Sequence, residues 1–116
     1  MEESSRVGRS KILVVDDEEG IRDVISMIIE SYFENEIITA ASGNEAIAIL
    51  KEQNSEIGMM FCDFRMNDGT GADAYNFLKG TDYNIPFILC STYNPGEIGL
   101  DTLLEDNPLN SVISKP

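Results

Sequence analysis

Lys11-Ile12-Leu13-Val14-Val15-Asp16-Asp17 decides how the rest of the sequence is read. Five residues rich in β-branched and aliphatic side chains stop abruptly at two acids. A run that is apolar at consecutive positions suits a strand covered on both faces, as in a parallel sheet, rather than a strand with one wet face. Three later stretches repeat the design. Ile57 to Cys62 is apolar and ends at Asp63, Ile85 to Cys90 ends at Ser91-Thr92, and the short Val112-Ile113 leads to Lys115-Pro116. Glu36 to Ala40 reads as the second strand in chain order, closing on Ala40 and Ala41 with no polar group to offer.

Helical signals lie between these strands. From Glu19 to Tyr32, the residues Ile21, Val24, Ile25, Ile28, Ile29 and Tyr32 recur at spacings of three and four, which predicts an amphipathic helix. Ser42 stands three residues before Glu45, a capping-box spacing, and Ala46, Ile47, Ile49 and Leu50 then supply a buried face. A turn over 66–71 precedes a helix carrying Ala74, Phe77 and Leu78, and Glu97 to Glu105 forms a weaker fourth helix. Strands alternating with helices imply crossover connections and a parallel sheet with helices on both faces.

In sheets of this kind the functional site lies outside the carboxyl ends of the strands. That rule brings Asp16, Asp17, Asp63, Ser91 and Lys115 to one rim. Clustered carboxylates repel unless a cation joins them, and an all-oxygen set of this kind suits a hard ion such as Mg2+. Asp63, alone on its strand, is the candidate nucleophile, and the Asp16-Asp17 pair is better suited to hold the cation. Ser91 and Lys115 add a hydroxyl and a positive charge for phosphoryl oxygens.

Composition narrows the alternatives. The chain has 116 residues, a single-domain length, and 42% of them are hydrophobic, enough for a core without disulfides. With 21 acidic against 8 basic residues, the net charge of −13 disfavours direct contact with nucleic acid or anionic membrane. There is no histidine, which removes histidine-based catalysis and requires any phosphohistidine donor to be another molecule. Cys62 and Cys90 close apolar runs and read as buried thiols of a reducing compartment, so the cytoplasm is expected. Residues 1–9 read as a flexible leader, and 10–116 as the domain.

Taken together, Ile12 to Asp17, Asp63 to Gly71, Pro86 to Ser91 and Lys115-Pro116 resemble the receiver domain of two-component response regulators. The resemblance implies a doubly wound α/β fold of the (βα)5 type, strand order 2-1-3-4-5, with the last helix missing from this chain. It implies that Asp16, Asp17 and Asp63, with the backbone carbonyl of Arg65, hold Mg2+. It further implies that Asp63 is phosphorylated by a histidine kinase or a histidine phosphotransfer protein, that Ser91 and Lys115 assist, and that a downstream output domain or protein responds. The domain would be regulatory rather than an enzyme.

Three departures from the family pattern stand out. Val112 occupies the place of the usual switch aromatic, Asn67 replaces a proline, and Thr92 sits where a smaller residue is usual. Arg65 and Tyr93 hold the positions that tend to govern hydrolysis of the phosphoaspartate, and their bulk implies shielding. The same residues admit other readings. Asp16 and Asp17 alone could cap the following helix. Gly69 to Ala74 fits a dinucleotide fingerprint, but the turn does not follow its strand at once. A phosphatase would want Asp-x-Asp, and Glu18 follows the acid pair. The remaining alternative is a pseudo-receiver that binds partners without phosphorylation.

Overall fold

The structure is a computed structural model and describes residues 10–53, 56–64, 68–81, 85–91 and 102–114. Five strands form one sheet, in the order β2-β1-β3-β4-β5 and parallel throughout. They are β1 (Lys11–Val15), β2 (Ile37–Ala40), β3 (Ile57–Asp63), β4 (Phe87–Ser91) and β5 (Ser111–Ser114). Between them run α1 (Glu19–Tyr32), α2 (Gly43–Gln53), α3 (Gly71–Lys79) and α4 (Leu103–Asp106). The expected fold class and strand order are both present. The expected fourth helix is described only over its last turn, since 97–101 lie outside the described residues, as does the 1–9 leader.

Alternation along each strand divides the core into two layers. Leu13, Val15, Met60, Cys62, Phe87 and Leu89 face one way and meet Ala46 and Leu50 of α2, Ala74 and Leu78 of α3, and Leu103 of α4. Ile12 and Val14 face the other way and pack with Ile29 of α1, backed by Ile25, Met59 and Phe61. Helices therefore cover both faces, and the strands that carry the acids lie at the centre of the sheet. β2 and β5 are the edges.

Local chemistry fixes the helix starts. Ser42 Oγ accepts the Glu45 N–H at 3.0 Å, as its spacing predicted, but the Glu45 carboxylate reaches back to the N–H of Ala41 at 2.6 Å rather than that of Ser42. A full reciprocal box forms instead at α3. There Thr70 Oγ1 accepts the Asp73 N–H at 3.1 Å, and Asp73 Oδ2 accepts the Thr70 N–H at 2.9 Å.

The apolar stripe of α1 is less buried than its periodicity predicts. Ile29 is 4% exposed, but Val24, Ile28 and Tyr32 are 51%, 54% and 79% exposed. They line an open groove of about 630 Å³ whose floor includes Phe61, Cys90 and Ile113. The cause is lateral. α1 sits over β1 and β3, and no described element lies beyond it over β4 and β5. Ile113 of β5, on that side of the groove, is 47% exposed.

Candidate phosphoacceptor site

β1 and β3 run side by side with Val15 opposite Cys62, so the next residues, Asp16 and Asp63, are neighbours at the carboxyl end of the sheet. Adjacent strands lie about 4.8 Å apart, which puts the two acids on one rim. Both are buried, Asp16 to 1% exposure and Asp63 to 6%. Asp63 in turn pairs with Cys90, one residue before Ser91, and Ser91 pairs with Ser114, one residue before Lys115. Ser91 thus ends β4 on the same side of the sheet. Lys115 and Arg65 lie outside the described residues, as do Thr92 and Tyr93.

Asp16, Asp17 and Glu18 can each place a carboxylate oxygen within 4.8 Å of the others. At that distance and a surface-like dielectric of ~20, two carboxylates repel by roughly 3 kcal/mol. A divalent cation relieves this repulsion. Oxygen-only ligands, few in number and open to water on one side, fit Mg2+ rather than a thiolate- or imidazole-seeking metal. Glu18 was not anticipated as part of this group, and Asp63 is not one of these three. The sign that could have found Glu18 is its place as the third consecutive acid, at the start of a helix whose first turn holds it near the pair.

The helix-capping alternative is partly realised. Asp16 Oδ1 accepts the Glu18 N–H at 2.9 Å, and the Asp16 carbonyl accepts Arg22 Nη1 at 2.7 Å. Glu18 is the N-cap of α1, yet its side chain makes no capping bond. One oxygen of Asp16 therefore organises the β1–α1 turn, while Asp17 does not cap. The Cys62 thiol beside the site is fully buried. Burial pushes the Cys62 thiol well up, and the charge of Asp63, then Cys90, then Asp16 adds to that shift. Both cysteines are buried, and neither is in a disulfide, as expected. Among the described residues no helix is long and apolar enough to cross a membrane.

The chain is similar to known proteins in sequence and in fold. The sequence profile of the response regulator receiver domain matches residues 12–116. The response regulator SaeR of Staphylococcus epidermidis is 36% identical over 80 residues, covering 66% of this chain and 32% of that protein. The transcriptional regulatory protein HptR of Staphylococcus aureus is 33% identical over 89 residues, 75% of this chain and 34% of that protein. The chain therefore spans about a third of the length of these relatives. Among solved structures, a response regulator receiver domain protein from Clostridium thermocellum superposes with a TM-score of 0.78 at 26% identity, covering 92% of this chain and 82% of that one. By its sheet order, its acid rim and the sequence match over nearly its whole length, the chain belongs to the family of response regulator receiver domains.

Proposed function

We propose that the domain accepts a phosphoryl group on Asp63 from a histidine kinase or histidine phosphotransfer protein, with Mg2+ as cofactor. Phosphorylation then changes how it binds a downstream output domain or protein in the cytoplasm. The observation that carries this reading is the buried Asp63 at the end of central β3, beside Asp16 and its neighbouring carboxylates.

Asp16 and Asp17 would hold the ion together with Asp63, and Glu18 is near enough to ligate or to orient a bound water. Bound there, Mg2+ supplies charge neutralisation for the phosphoryl oxygens. A carboxylate oxygen of Asp63 attacks phosphorus in line. The bond from phosphorus to the donor's imidazole nitrogen breaks, and that nitrogen keeps the electron pair. With a small acyl phosphate, the bond to the acyl oxygen breaks instead. The carbonyl of Arg65, the hydroxyl of Ser91 and the ammonium of Lys115 are the remaining groups proposed to bind ion or phosphoryl oxygens.

One observation favours the pseudo-receiver as a second reading. Val112, half-buried against the main core, stands where the family places its switch aromatic. Incubation with Mg2+ and beryllofluoride separates the two, because a phosphoaspartate mimic forms only at a competent site. Backbone amide shifts around 63, 16 and 91 should move in the wild type and stay put in Asp63→Asn. No Mg2+-dependent shift in the wild type would favour the pseudo-receiver.

A further inference from the structure

We infer that Asn44 and Gly43, at the start of α2, are positioning residues for the Asp63 site, acting through the loop that follows β3. This inference rests on the phosphoacceptor reading and extends it to a second element of the fold.

The loop leaves the sheet at Phe64 and returns at Gly71, where the Gly71 N–H donates to the Phe64 carbonyl at 2.9 Å and closes its base. The contact is tight enough that a Cβ on Gly71 would lie 2.6 Å from the carbonyl oxygen of Asp63 itself. On its far side the loop is held by α2. The Gly43 N–H donates to the Gly69 carbonyl at 3.1 Å, and the Asn44 N–H donates to the Asp68 carbonyl at 3.0 Å. Asn44 Nδ2 donates to Asp68 Oδ1 at 2.8 Å, and Ser42 Oγ to Asp68 Oδ2 at 3.4 Å.

The first N–H groups of a helix need outside partners. In α2, Ser42 satisfies that of Glu45 with its hydroxyl and that of Ala46 with its carbonyl, and the two before them are given to the loop. The Asp68 carboxylate also lies at the positive end of the helix dipole. Gly69 has φ +87°, a conformation natural to glycine, and a Cβ there would meet the Asn44 nitrogen at 2.8 Å. A Cβ on Gly43 would meet the Gly69 and Thr70 carbonyls at 2.6 Å. These contacts are to backbone, so no rotamer change can relieve them.

The consequence is preorganisation. Mg2+ demands near-ideal geometry at short ligand distances, so its affinity depends on how well the chain around Asp63 is held before it arrives. α2 follows β2, which pairs with β1, whose end bears Asp16 and Asp17. The clamp therefore ties the loop after Asp63 to the half of the sheet that carries the other acids.

Asn44→Ala and Gly43→Ala both leave the net charge unchanged, so neither alters ion affinity by removing charge. Mg2+ titration by calorimetry on the full chain should show a dissociation constant raised on the order of tenfold for Asn44→Ala, the lower end for groups that orient metal ligands. Gly43→Ala, if it folds, should show more. Phosphorylation by acetyl phosphate at saturating Mg2+ should stay within about twofold of wild type for Asn44→Ala, since the reacting groups are intact. An Asn44→Ala protein with reduced urea stability but wild-type Mg2+ affinity would overturn the inference, leaving the clamp as structure alone. A wild type that binds no Mg2+ would instead sink the phosphoacceptor reading, and this inference with it.

Discussion

Asp16, Asp17 and Glu18 hold three carboxylates within 4.8 Å of one another, an arrangement that costs stability when no cation is present. Asp17→Asn should therefore raise the urea midpoint in EDTA. The gain should be small, about 0.5 kcal/mol, because charges near water are well screened. In saturating Mg2+ the order should reverse, since the wild type gains stability from the bound ion and the variant binds it less well. A variant equal to wild type under both conditions would argue against a cation at this rim. The acid pair and Asp63 were legible in the sequence because each ends an apolar run. Glu18 was not, because its place beside the pair depends on the turn that joins β1 to α1.

At the level of elements, strands were legible nearly to the residue, and the connections that lock helices to one another were not. Tyr75 of α3 is buried, its ring edge-on to Phe87 of β4 at 4.9 Å, and its hydroxyl donates to Asp106 of α4. Asn110, just before β5, accepts the Phe87 N–H at 2.8 Å and donates to the Leu103 carbonyl at 2.8 Å. These partners are far apart in sequence, so no local pattern announces them. The Tyr75 hydroxyl, then Thr102 and Lys79, hold the Asp106 carboxyl below its usual range. A carboxyl lowered on folding contributes stability above its unfolded range, and that contribution fades as pH falls through the folded one. Tyr75→Phe should be less stable than wild type near neutral pH, with the gap narrowing below about pH 4. A gap unchanged down to about pH 3 would contradict this role for the pair. For α1, the periodic stripe was legible but its depth was not, because periodicity does not reveal where the neighbouring cover ends. Ile29→Ala should cost about 2–4 kcal/mol in urea unfolding, and Ile28→Ala under about 1 kcal/mol. Equal costs would mean that the groove face of α1 is as covered as its core face.

The whole molecule is a sheet with a rim of acids at one end and an open apolar groove on one face. Its doubly wound order was legible because alternating strands and helices leave few topologies, and the resemblance to receiver domains selected among them. The proposed switch was only partly legible. Val112 packs half-buried against the core where the family keeps a ring, so any response to phosphorylation has to travel by other contacts. The proposed function rests on one event, transfer of a phosphoryl group to Asp63. Intact-mass spectrometry after incubation with acetyl phosphate and Mg2+ tests it most directly. One added phosphoryl group is expected in the wild type, absent in Asp63→Asn and absent in EDTA. An unmodified wild type, or a gain that survives in Asp63→Asn, would contradict the assignment of Asp63 as the phosphoacceptor.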